Sequence, residues 1–178
     1  MSASLGGTLL GLMRLRAGPQ DLPHSPSLMV GLLLATMALE HVAGQKLAGT
    51  SDGLPVRAGL AVVLGLGLPY LILHVGRRTA RFVQTATALI ATGLCFALLV
   101  LPVIALVGEL PEDPANLTSG QMLFGWISLV LLVWKLAVHG SIFRHALEVP
   151  LRQGVLLAVA LMLVEVSLGV IIVAARAS

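Results

Sequence analysis

Residues 82–107 read FVQTATALIATGLCFALLVLPVIALV, an unbroken run without a charged side chain. A helix rises about 1.5 Å per residue and the hydrocarbon layer of a bilayer is about 30 Å thick, so this stretch is long enough to cross it. A strand of a membrane barrel would alternate apolar and polar positions, and this run does not. Outward from it lie four more apolar runs near the length of a span: Leu28–Leu47, Val56–Val75, Gln121–Ile142 and Gly154–Ala175. The expected fold is all-α, an integral membrane bundle of five transmembrane helices with a short N-terminal amphipathic segment.

Composition points the same way. Of 178 residues, 57% are hydrophobic and only 11% charged, against about a quarter charged in ordinary globular domains. Those proportions exclude a large soluble domain and a disordered chain. A single cysteine, Cys95, excludes an internal disulfide and a cysteine metal cluster. The connections are short, so residues 27–178 read as one five-helix domain. The longest link, Gly108 to Gly120, is acidic and rich in turn formers. Within it, Asn116-Leu117-Thr118 has glycosylation-acceptor spacing, a pattern common by chance.

Residues 1–26 read as a cytoplasmic amphipathic segment followed by a Pro-rich elbow. Leu5, Leu9, Leu10, Leu12 and Met13 precede Arg14 and Arg16, the reverse of the charge order in a secretory signal. The expectation is a short helix on the membrane surface, its leucine side in lipid and its arginines near headgroups. Pro19, Pro23 and Pro26 then prevent regular helix up to the first span.

Basic residues give the orientation. Arg14, Arg16, Arg77, Arg78, Arg81, Arg144 and Arg152 fall on one side of a five-span chain, against Lys46, Arg57 and Arg176 on the other. The positive-inside rule therefore predicts a cytoplasmic N-terminus and a C-terminus outside, in the cell (inner) membrane. The net charge of +3 belongs to span ends, where anionic headgroups attract it, so no nucleic-acid partner is expected.

Ionisable groups at bilayer depth are expensive and usually face the bundle interior. The candidate intramembrane polar site consists of Glu40 and His41 in the first span, Lys135 and His139 in the fourth, and Glu165 in the fifth. Ser128, Lys135 and His139 share one helical face, as do Gly154, Ala158, Glu165 and Gly169 on the last span and Thr85, Ala88, Thr92 and Cys95 on the third. Each of these spans should present one small, weakly polar face and one lipid face. Lys135 and Glu165 are expected to pair as an internal clasp; a proton or ion pathway through Glu40, His41, Lys135 and Glu165 is the functional alternative. Trp126 fits an interfacial anchor, and the deeper Trp134 fits a contact with a neighbouring helix or a partner.

His74 and His139, at similar depth, have the arrangement a bis-histidine haem would need, although snorkelling explains residues near span ends equally well. No HExxH, GxSxG or phosphate-binding glycine loop is present. No catalytic residue, metal or cofactor is expected, and the protein is not expected to be an enzyme. Pro69 and Pro102 fall within apolar runs and should kink them, most of all in Gly65-Leu66-Gly67-Leu68-Pro69-Tyr70.

The layout resembles the bacterial branch of the Yip1 family of five-span membrane proteins. The similarity lies in the Pro-rich stretch Gly18 to Pro26, in Arg81-Phe82-Val83-Gln84-Thr85 opening a run that ends in Leu101-Pro102, and in Leu163-Val164-Glu165-Val166 of the last span. The resemblance implies a non-enzymatic scaffold or partner-binding protein and brings no catalytic residues. The expected function is that of a scaffold or interaction subunit whose partners are the lipid bilayer and other membrane proteins or a second copy. A small channel or transporter is the alternative, and a haem-bearing electron carrier the third.

Overall fold

The structure, a computed structural model, describes residues 4–48, 59, 62–107, 111 and 116–177. Among these residues every regular element is a helix and no strand occurs. Helix α1 spans Leu5–Met13, α2 Pro26–Ala48, α3 Leu68–Val75, α4 Phe82–Val107, α5 Ser119–Leu147 and α6 Leu151–Ala177. Four segments are long and apolar enough to cross a membrane: Pro26–Ala43, Thr79–Ala105, Ser119–Leu147 and Leu151–Leu168. The described part of the expected second span is the shorter apolar segment Val63–Val75; most of the remainder of Val56–Val75 lies outside the described residues.

Local chemistry explains the helix ends. Thr118 caps α5, accepting from the Gln121 N–H at 3.3 Å while the Gln121 side chain accepts from the Thr118 N–H at 2.9 Å. Thr118 thus serves helix initiation within the glycosylation-like triplet. Leu15, Arg77 and Glu148 adopt positive φ, at 60°, 55° and 59°, just beyond the ends of α1, α3 and α5. Before Pro69 the helix widens into a π-turn over Val63–Gly67. Proline supplies no N–H for the bond to the preceding turn, and the Leu68 N–H reaches back five residues to the Val63 carbonyl. Helix α4, by contrast, runs on through Pro102.

The quoted stretch is the centre of the molecule, since α4 packs against α1, α2, α3 and α5, while α6 packs on the far side of α5. Over residues 85–92 α4 is buried on every side, so the expected lipid face is missing there. Threonine and alanine make this possible, being small enough for several neighbours to approach at once. The buried hydroxyls are satisfied within their own helix: Thr85 donates to the Arg81 carbonyl at 2.8 Å, Thr87 to Val83 at 2.6 Å and Thr92 to Ala88 at 2.7 Å.

Helices α5 and α6 meet almost backbone to backbone. A Cβ placed on Gly154 would lie 2.2 Å from the Gly140 carbonyl oxygen, and one on Gly140 would lie 2.6 Å from Val155 Cγ2. The small-residue stripe of the last span is realised at Gly154 and Ala158, both buried; the Gly169 side of it lies outside the described side chains. The core is shallow. Buried residues of α5 lie within 138–146, those of α6 are Gly154, Ala158 and Leu161, and those of α2 are Met29 and Leu33. Toward the opposite end Leu123, Trp126, Val130 and Val133 of α5 are all exposed.

Helix α1 departs from the expected surface helix. Leu12 and Met13 are buried in a cluster with Ala88, Leu89, Phe96, Val138, Ile142 and Phe143. Trp134 donates its indole N–H to the Met13 carbonyl at 2.9 Å and meets Phe96 edge to face with ring centroids 5.2 Å apart. The physical reason is twofold. Small residues on α4 leave a groove that fits leucine and methionine, and the last carbonyls of a helix lack intrahelical partners while an indole N–H in apolar surroundings needs an acceptor. Trp134 stands about 20 Å along α5 from its C-terminal end, so α1 is tucked against the bundle at that depth.

Candidate functional site

The residues of the candidate intramembrane site do not converge. Helix α2 packs on α4 and not closely on α5 or α6, which separates Glu40 and His41 from the other three. Glu40 is exposed, His41, Lys135 and Glu165 are half-buried, and His139 is buried. Glu148 pairs with two arginines; Lys135 and Glu165 do not pair with each other. Helix register explains the miss. Taking the Gly140–Gly154 contact as the point of equal depth, Lys135 lies about 7.5 Å beyond it on α5 and Glu165 about 16.5 Å beyond it on α6. A separation near 9 Å exceeds the single turn expected.

The same measure separates the histidines. A Cβ on Gly76 would touch Leu147, so the ends of α3 and α5 are level; from there His74 is about 3 Å deep and His139 about 12 Å deep. His74 is exposed and stacked on Tyr70, with centroids 6.0 Å apart. His139 lies one turn beyond Lys135, and its Nε2 is buried with no hydrogen-bond partner.

Polar side chains instead converge at the end of the bundle where the core lies. There a cavity of about 550 Å³ is lined by Pro19, Gln20, Arg81, Gln84, Thr85, Arg144, His145, Glu148 and Val149. Three connections meet in it: the Pro-rich elbow, the turn leading into α4, and the turn between α5 and α6. Arg78 and Arg81 both bind Glu148, Arg81 at 2.5 Å. Arg81 also donates to the carbonyls of His145 at 3.0 Å and Ala146 at 3.2 Å, covering the unpaired C-terminal carbonyls of α5 with a cation. Gln84 donates to the carbonyls of Leu22 at 2.8 Å and Gln20 at 3.3 Å and so fixes the elbow to α4.

Electrostatics follow from these contacts. The hydrogen bond from Arg81, then the positive charges of Arg78 and Arg81, hold the Glu148 carboxyl below the usual carboxylate range. Arg144 makes no side-chain hydrogen bond or ion pair among the described residues. His145 Nδ1 lies 2.7 Å from the Ser141 carbonyl; a carbonyl only accepts, so Nδ1 carries the hydrogen and Nε2 is the ring's other polar atom. Sequence reasoning treated Arg78, Arg81 and Arg144 as markers of topology. The signal it passed over was Glu148, a carboxylate amid arginines of two short connections.

Comparison of the chain with models of protein families, with curated proteins and with solved structures gave no match.

Proposed function

We propose that this chain is a non-enzymatic, five-span protein of the cell (inner) membrane, N-terminus in the cytoplasm and C-terminus outside, that acts as a scaffold or interaction subunit. The observation that carries this reading is the division of the bundle into a packed end and an apolar end. Near Leu123, Trp126, Val130 and Val133, helix α5 exposes apolar side chains around its circumference, a surface suited to lipid or to other membrane helices and not to water. The resemblance to the bacterial Yip1 branch agrees with such a role. The separation of Glu40 and His41 from Lys135 and Glu165 weighs against a continuous polar path.

The test is purification in a mild detergent with identification of what co-purifies, combined with reporters fused to each terminus. A stable heteromeric complex and an extracytoplasmic C-terminus are expected. A C-terminal reporter active only in the cytoplasm refutes the topology, and a chain that purifies alone under all mild conditions refutes the subunit role. A small channel or transporter is the second reading, favoured by the unpartnered Nε2 of His139 one turn from Lys135. Proton flux into liposomes that is lost in His139→Leu without loss of assembly would support it.

A further inference from the structure

The cavity between the elbow, the start of α4 and the end of α5 has charge left over. Glu148, the carboxylate in its lining, is engaged through both oxygens by Arg78 and Arg81. Arg144 in the same lining has no partner among the described residues. With Arg81 and Arg144 against Glu148, the lining carries net positive charge. Its volume of about 550 Å³ lies within the range of about 300–1,000 Å³ typical of small-molecule sites. Of the other polar side chains in the lining, His145 gives its Nδ1 hydrogen to the Ser141 carbonyl and Gln84 gives its amide hydrogens to the elbow carbonyls, which leaves Arg144 as the free charged donor.

From this we infer that the cavity binds a phosphate group, with Arg144 as its principal charge partner. A guanidinium offers a planar fork of donors that matches phosphate geometry. The Glu148 clamp keeps Arg81 and the carboxylate locked to each other, so the free guanidinium is the one that can turn to a ligand. A basic cavity between helices at the cytoplasmic membrane surface is where the headgroup of an anionic phospholipid is available. A soluble phosphate ester carries the same chemistry. The lipid source rests on the membrane orientation proposed above; the phosphate chemistry does not.

Purified protein in neutral detergent would be titrated with phosphatidylglycerol, phosphatidylcholine and glycerol phosphate, followed by native mass spectrometry and by thermal unfolding. Phosphatidylglycerol is expected to bind and stabilise, and Arg144→Gln to weaken it roughly tenfold to a hundredfold, the value of a charge-assisted hydrogen bond. Arg144→Lys should fall between the two, since lysine keeps the charge and loses the fork. Arg144 is exposed and makes no side-chain bond, so these variants should fold. Equal, Arg144-dependent binding of glycerol phosphate would support the site and assign it a soluble ligand. Phosphatidylcholine carries the same phosphate beside a compensating cation, so equal binding of it that does not depend on Arg144, or unchanged binding of phosphatidylglycerol in Arg144→Gln, would overturn it. Release of the native protein from membranes by alkaline carbonate would instead refute the membrane reading, leaving the glycerol phosphate result to judge the cavity.

Discussion

Replacing Gly154 with alanine is expected to force α5 and α6 apart where they come closest. The added Cβ would lie 2.2 Å from the Gly140 oxygen, 3.0 Å from the Arg144 nitrogen and 3.2 Å from the Gly140 carbonyl carbon. Carbon atoms rest at about 3.5–4.0 Å from their neighbours, so relief demands a shift of roughly 1 Å. All three atoms are backbone and cannot rotate away. A gap of that size forfeits a quarter to a half of each dispersion contact across the seam. Overpacking of this kind costs about 1–3 kcal/mol and sometimes more, while alanine regains up to about 1 kcal/mol of helix propensity. The expected net loss is therefore about 1–2 kcal/mol. Gly76→Ala is the internal control. Its Cβ would meet Leu147 Cδ2 at 2.5 Å, but a terminal methyl can change rotamer, and the loss should stay below about 1 kcal/mol. Reversible unfolding in mixed micelles by sodium dodecyl sulfate titration measures both. If Gly154→Ala unfolds at the wild-type midpoint, or if Gly76→Ala is the more damaged, the close-contact reasoning is wrong.

Other consequences follow from the same contacts. Trp134→Phe keeps the ring against Phe96 but removes the donor to Met13; the α1 segment should loosen by about 1 kcal/mol, seen as faster tryptic cleavage at Arg14 and Arg16, and an unchanged cleavage rate would count against the docking of α1. Because the folded-state pKa of Glu148 is depressed, its stabilising contribution is present above the ordinary carboxylate pKa and disappears as pH falls through the depressed value. Wild type should thus lose thermal stability on acidification more steeply than Glu148→Gln, and because the pair is half-exposed the difference should shrink in high salt; parallel pH profiles would refute the clamp. Lys135→Met and Glu165→Gln should combine additively in a double-mutant cycle, whereas a coupling above about 0.5 kcal/mol would restore the clasp that the helix register denies.

Much of the architecture was legible in the chain because helix length and apolar content are one-dimensional properties. A run such as 82–107 is long and apolar enough to cross a membrane as one helix that satisfies its own backbone, and length and composition alone express that. The limits of α4 agree with that reading, and those of α2, α5 and α6 differ by a few residues where Thr118 and the prolines cap or open them. Of the candidate intramembrane residues His139 is buried, which its place near a span end, where snorkelling was an equal reading, did not reveal. Which of these residues meet was not legible, since that depends on the order α2, α4, α5, α6 in space and on axial register.

The sequence by itself determined the long apolar helices and the small-residue stripe of Gly154 and Ala158, because length and periodicity act along one chain. Only the tertiary structure decided that α1 docks beneath Trp134, that Lys135 and Glu165 stand about 9 Å apart in depth, and that Arg78 and Arg81 converge on Glu148 across 70 and 67 residues. The reason is geometric. A backbone contact between Gly140 and Gly154 sets the register of two whole helices, and a shift of one turn there would exchange every partner above it.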